Sequence, residues 1–239
     1  MKTEQQAVLS PAGKMKGDFG FAQRGGRNQG SDDLKHRAQV LRAAATQFIV
    51  TGLHGTTTPM LSRATGIPEE LLYARFGSKE RLFREAVEYN VRTRLQLLEA
   101  RTLSAVYESE IAAIQRIAEA TVTGCAAGDG NSILMNWALL EDHEHASDLY
   151  RDEIGSVEIL WNRAFAENFR DSPSRRTLSV GLVPHAVSAC LAYGLWLAAL
   201  RHNAKSAAAL AQGFVAGLVQ TASALLSEQS QGTCCIRTR

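Results

Sequence analysis

Leu34, Ala38, Leu41, Ala45 and Phe48 recur at steps of four and three, the spacing that lines one face of a helix. Ser31, Asp32 and Asp33 stand just ahead as N-cap candidates, and Gly52 closes the pattern. Thr57 and Thr58 precede Pro59, a start signal for a second helix that runs to about Thr65. A third is predicted from Pro68 to Ala74. Ser78 caps a fourth, with Glu80 in its first turn, and Leu82, Phe83, Ala86, Val87, Val91, Leu95 and Leu98 carry it to about Arg101. Helices follow over 107–124, 130–144 and 147–170, with breaks near Gly124–Gly130 and around Ala146. After a turn at 171–174, two long helices span 175–202 and 204–228. No stretch shows strand alternation and no repeat is present. The pattern predicts an all-α chain of about nine helices.

Within it, Ser62, Gly66 and Leu72 have a spacing of their own. A small residue, four positions to a glycine, then six to an aliphatic is the skeleton of a helix-turn-helix. Ser62 permits close approach of the second helix. Gly66 can take the left-handed turn, and Leu72 points back inside. The second helix of such a pair is shaped for a DNA major groove.

Charge sharpens this. The 239 residues have a net charge of only +2, but residues 1–30 and 31–101 each carry +3, while 102–239 carry −4. The basic end is the helix-turn-helix end, which favours a polyanion partner there and another task for the rest. Residues 1–30, rich in Gly, Gln and basic side chains, are expected to form a disordered basic arm, either inert or following the DNA backbone. Cys125, Cys190, Cys234 and Cys235 form no CxxC and no zinc-finger spacing, so reduced core or tail thiols are expected. The first seventeen residues lack the apolar run of a signal peptide. Residues 177–200 and 206–227 lack Asp, Glu, Lys and Arg and admit a transmembrane hairpin. Pro184, His185 and the many small residues favour buried bundle helices instead, with no membrane partner and a cytoplasmic protein.

Residues 34–82 resemble the N-terminal DNA-binding domain of the TetR (tetracycline repressor) family. The resemblance rests on the leading helix with AAATQF, Gly52, Thr56–Thr57, Leu61, Gly66, Ile67, and the segment Leu72–Leu82 in the form LYxRFxSKExL. It covers about fifty residues, and that last segment is its most specific part. It implies a helix-turn-helix domain over 31–77 and a helical ligand-binding and dimerisation domain over 78–239.

The candidate DNA-binding residues are Thr57, Thr58, Arg63, Glu69, Glu70, Leu71, Tyr73, Arg75 and Lys79. Thr57 and Thr58 can offer hydroxyls where helix N–H groups face a phosphate. Tyr73 can reach the backbone, and Lys79 adds a cation at a helix N-terminus. Arg63 and Arg75 can meet phosphates or guanine edges, while Leu71 and Ala74 can touch a thymine methyl. Phe76 and Leu82 are expected in the core. Members of the family commonly have Ser at the position of Pro68, a small residue at Glu70, and Tyr or His at Arg75. Glu69 and Glu70 oppose phosphates, so they either select bases, through a cytosine amino group, or mark weakened DNA binding.

The resemblance further implies a homodimer on a palindromic operator, with half-sites about 34 Å or a multiple apart. Leu197, Gly213 and Gly217 are the candidate dimer contacts on the last two helices. Met135, Trp137, Trp161, Phe165, Tyr193 and Trp196 are candidates to line a pocket for a small, largely apolar effector, with ordinary core as the alternative for each. Such an effector would favour a spacing of the reading helices that misfits the operator, with the fourth helix as lever. Glu141 and His145, four apart, form a feasible metal-ligand pair on one helix face, but a solvated helix end is the simpler reading, and neither metal nor cofactor is expected. No catalytic fingerprint is present, so no enzyme is expected. The sequence therefore supports a ligand-responsive transcriptional regulator, most simply a repressor. The alternative is a helical ligand-binding or scaffold dimer with weakened DNA binding.

Overall fold

In a computed structural model of the chain, residues 29–126, 131–172, 178–199 and 204–234 are described, and every regular element among them is helical. The helices are α1 (Gln29–Gly55), α2 (Thr58–Thr65), α3 (Glu69–Phe76), α4 (Lys79–Leu103), α5 (Glu110–Ala126), α6 (Asn131–Glu141), α7 (His143–Asn168), α8 (Val183–Ala199) and α9 (Ala204–Cys234), with a π-helical turn at Leu178–Leu182 leading into α8. Three boundaries differ from expectation. Ser31, Asp32 and Asp33 lie inside α1, which already begins at Gln29; the rest of the predicted arm lies outside the described residues. The break expected around Ala146 falls at Asp142, so Glu141 and His145 do not share a helix. Within the single helix expected over 175–202, the described residues include a π turn at Leu178–Leu182 ahead of the α-helix. Pro184 has no N–H to offer the preceding turn, and the regular α-helix starts at the residue before it, where that lack is harmless.

Two hydrophobic clusters form the interior. The first joins α1–α3 to the first half of α4, to α6 and to the start of α7, and includes Phe48, Leu61, Leu72, Phe76, Phe83, Leu134 and Met135. Phe48 and Phe83 meet edge to face at 5.0 Å. The second gathers the end of α4 with α5, α7, α8 and α9 around Ile114, Trp161, Phe165, Val187 and Leu191. Helix α4 runs through both. The first cluster crosses the sequence boundary at residue 77, so the N-terminal helices share an interior with α6.

That sharing centres on a break in α1. Gly52 has φ 69° and ψ −177°, a conformation open in practice only to glycine. The turn swings the Leu53 N–H away from the Ile49 carbonyl, its partner in an unbroken helix. Helix α6 serves both orphaned groups. Glu141 Oε2 accepts from Leu53 N at 2.5 Å, and Trp137 Nε1 donates to Ile49 O at 3.2 Å. Trp137 and Glu141 are one helical turn apart, so one face of α6 spans the break. Beyond it, the Thr56 hydroxyl donates to the Gly52 carbonyl at 2.6 Å.

A second close approach fixes α5 against α8. A Cβ built on Gly194 would fall 2.3 Å from Cys125 Cβ and 3.1 Å from the Val122 carbonyl oxygen, so only glycine permits this spacing. Cys125 and Cys190 are buried beside this seam. Burial pushes the Cys190 thiol up to about 12.

Gly52→Ala tests the break. Its Cβ would sit 2.9 Å from Glu141 Oε1 and 3.0 Å from Trp137 Cε3, on a strained backbone. We expect a loss of about 1–3 kcal/mol from backbone strain, with more from the displaced clamp, in urea unfolding. Gly66→Ala, left-handed but in open space, is expected to cost roughly 1–2 kcal/mol. An equal or smaller loss for Gly52→Ala would contradict this account.

Candidate nucleic-acid interface and buried cavity

Helix α2 follows the N-cap residue Thr57, with Pro59 in its first turn. It stops at Gly66, whose φ of 70° turns the chain while its N–H bonds the Ser62 carbonyl at 2.9 Å. Helix α3 follows after Ile67 and Pro68, and Leu72 and Phe76 anchor it inside. Arg37 lies over the Phe76 ring at 5.1 Å and is ion-paired to Glu85, so α1 and α4 together clasp the end of α3. Ser78 caps α4, accepting from Arg81 N at 3.1 Å. Hydrogen bonds from its own backbone N–H and from the Ser78 hydroxyl hold the Glu80 carboxyl below its usual range.

These anchors leave one side of α3 outward. Leu71 and Tyr73 are 54% and 46% exposed, unusual for large apolar surfaces, and Glu70, Ala74 and Arg75 are exposed with them. Glu69 is half-buried in the first turn. The Tyr73 hydroxyl shares a hydrogen bond of 2.8 Å with the Thr58 hydroxyl, tying α3 to the start of α2. Lys79 Nζ donates to the Thr56 carbonyl at 3.0 Å, so its ammonium also stands beside that helix start. Thr57 is exposed at the cap, and Arg63 is exposed at the far end of α2. The candidate DNA contacts thus fall on α2, α3 and the first turn of α4.

The six large residues offered for a pocket fall in different places. Met135 is fully buried in the first cluster, and Trp137 braces α1. Trp161 and Phe165 are buried in the second cluster, where the indole N–H of Trp161 donates to Thr121 Oγ1 at 3.3 Å. Tyr193 stacks on Phe214 at 4.3 Å, and Trp196 is 48% exposed. Trp137 borders an open groove, of about 180 Å³, shared with Ile133, Asn136, Leu140 and the end of α8. Of the dimer candidates, Gly213 and Gly217 are exposed on α9, whereas Leu197 packs inside its own protomer. Glu141 is committed to Leu53, and His145 Nε2 lies 3.3 Å from Glu88 Oε1.

A buried ion pair was not anticipated. Arg94 of α4 directs Nε (2.9 Å) and Nη2 onto Glu153 Oε1 of α7, and its Nη1 reaches Ser132 Oγ of α6 at 3.0 Å. Glu153 Oε2 has no hydrogen-bond partner although the residue is 1% exposed. Arg94 and Glu153 border a small void between α4, α5, α7 and α8, about 10 Å³ in volume, with Leu98, Thr121, Cys125, Val157 and Leu191. Tyr150 lies near; burial and the Glu153 carboxylate push its phenol up to about 12. A signal existed in the sequence. Arg94 falls between Val91 and Leu98, and Glu153 between Leu149 and Val157, each a charge on an apolar face.

Residues 40–86 match the profile described as bacterial regulatory proteins, tetR family. No curated protein sequence matches the chain. Several solved structures share its fold. A candidate TetR-family transcriptional regulator from Mesorhizobium loti aligns with a TM-score of 0.61 at 15% identity, covering 79% of this chain and 96% of its own. The TetR-family regulator CifR, as a cysteine mutant with a 26-bp operator duplex, gives 0.57 at 20% identity, covering 77% and 95%. The fatty acid degradation regulator FadR from Bacillus halodurans gives 0.55 at 12%, covering 82% and 97%.

Two outcomes follow for the buried groups. Glu153→Leu alone is expected to cost about 3–5 kcal/mol by stranding Arg94, whereas Arg94→Met with Glu153→Leu should cost far less, measured by urea unfolding. Tyr150 gives up its proton at about 12 when folded but at 10.0 when free, so the folded state holds the extra proton between those values. Its contribution is therefore complete below pH 10 and lost as pH rises through 12; Tyr150→Phe should flatten that fall in the unfolding midpoint. Residues 40–86 thus match the tetR-family profile, within a helical fold shared with the solved structures above.

Proposed function

We propose that the protein is a DNA-binding transcriptional regulator, a homodimeric repressor that a small, largely apolar effector releases from a palindromic operator. The observation that carries this reading is the outward side of α3. Leu71, Tyr73 and Arg75 are held out while Leu72 and Phe76 anchor the helix, and Thr58 and Thr56 fix the Tyr73 hydroxyl and Lys79 ammonium. Preset donors and apolar contacts on a short helix suit a major groove. The CifR structure, solved with operator DNA, supports the same assignment by analogy of fold.

Dimerisation is supported by α9. Its segment Ser206–Ser227 is long and apolar enough to cross a membrane, yet only 17% of it is buried within the protomer. Val180–Ala199 passes the same test but is half buried. A second copy laid on α8 and α9 would cover Trp196, Leu210 and Leu225 and satisfy both segments without a lipid phase. Sedimentation without detergent should give a dimer; a protein recovered only in the membrane fraction would refute this.

Purified protein should retard a duplex from the promoter region of its own gene, with affinity falling steeply as salt rises. Absence of selective binding at moderate salt refutes the regulator reading. Arg75→Ala is expected to cost about 1–3 kcal/mol of binding if it meets a base edge, and Tyr73→Phe about 0.5–1.5 kcal/mol for one hydrogen bond. Glu69 and Glu70 support the second reading, a dimer with weakened DNA binding. Replacing both with Gln discriminates: base-reading carboxylates predict relaxed or lost selectivity, whereas a weakened domain predicts DNA binding that appears only in the variant.

A further inference from the structure

From the bare carboxylate oxygen of Glu153 we infer that the buried void between α4, α5, α7 and α8 is the effector's recognition point, and that it takes a small apolar molecule bearing one neutral hydroxyl. This rests on the effector-responsive reading above and names the ligand class for it. Arg94 concentrates two N–H groups on Glu153 Oε1 and leaves Oε2 without a partner. A buried acceptor in that state is costly, so a ligand that satisfies it gains more than one hydrogen bond would gain in water. The surrounding wall from Leu95, Leu98, Val157 and Leu191 suits an apolar body.

Charge selects the head group. Arg94 already balances Glu153, so a ligand cation would bring an uncompensated charge into the interior. An anion would meet the Glu153 carboxylate. A neutral O–H donates to Oε2 and changes no charge. The void admits about one water-sized body, so the ligand enters by parting α4 from α7. Helix α4 begins against the reading unit, and Arg94 stands on it fifteen residues beyond Lys79. Occupancy of the void is thereby coupled to the setting of α3.

The test uses the full-length protein and calorimetric titration with phenol, toluene and benzoate, without DNA. Phenol should bind roughly tenfold or more tightly than either, the return expected for a hydrogen bond to a buried charge. That preference should vanish in Arg94→Met with Glu153→Met, a charge-neutral pair of substitutions. If this variant does not fold, Glu153→Gln serves, since it removes the carboxylate with little change of shape, and the phenol preference should fall there too. No phenol binding, equal affinity for phenol and toluene, a preference for benzoate, or a phenol preference that persists in the variants each overturn the inference. A promoter duplex assayed separately keeps the two readings apart. Phenol selectivity without DNA binding retains the site and removes the regulator; salt-dependent DNA binding without phenol selectivity does the reverse.

Discussion

The junction between α1 and α6 turns on one interrupted helical hydrogen bond. Gly52 breaks the ladder of α1, and a buried helix cannot leave a donor and an acceptor unpaired without a cost of about 1–3 kcal/mol each. Trp137 and Glu141 take the two orphans. The repair is made by another part of the chain, so α6 completes the end of α1 that leads into the helix-turn-helix. The bidentate pair between Arg84 of α4 and Asp142, at 2.6 and 2.9 Å, reinforces the same corner. Three successive interactions, from Trp137, Glu141 and Asp142, therefore tie the end of α6 to the reading unit.

The local parts of this arrangement were legible in the sequence. Ser62, Gly66, Leu72 and Ser78 act on their own neighbours, and the structure has each where spacing and capping require. Leu41, Ala45, Phe48, Phe76 and Leu82 are buried as their periodicity demands. The count of helices followed from the same signals, because apolar stripes and terminators are local.

What was not legible is what acts across the chain. Nothing near Glu141 announces that its carboxylate will serve a backbone N–H eighty-eight positions earlier. The break at Asp142 has neither Gly nor Pro to mark it, which is why the periodicity ran on to Ala146. The six large residues offered for a pocket scattered because a core and a cavity wall use the same side chains, and only packing separates them. Leu197 shows the same ambiguity: an apolar residue on an apolar helix can face its own core or a partner. Arg94 and Glu153 were the exception in principle, since two charges on two apolar stripes of opposite sign invite pairing.

The glycine contact between α5 and α8 sets the mechanics of the void above it. Gly194 brings those two helices to a spacing at which not even a methyl group fits, so that seam has no slack to give. Of the four walls, α5 and α8 form a fixed jaw. Across the opposite wall Arg94 and Glu153 join α4 to α7 through their side chains, and long side chains can lengthen by changing rotamers where touching backbones cannot. Any swelling of the interior is rectified by this asymmetry into displacement of α4 and α7. A single residue without a side chain, far from the reading surface, thereby decides which helix does the moving.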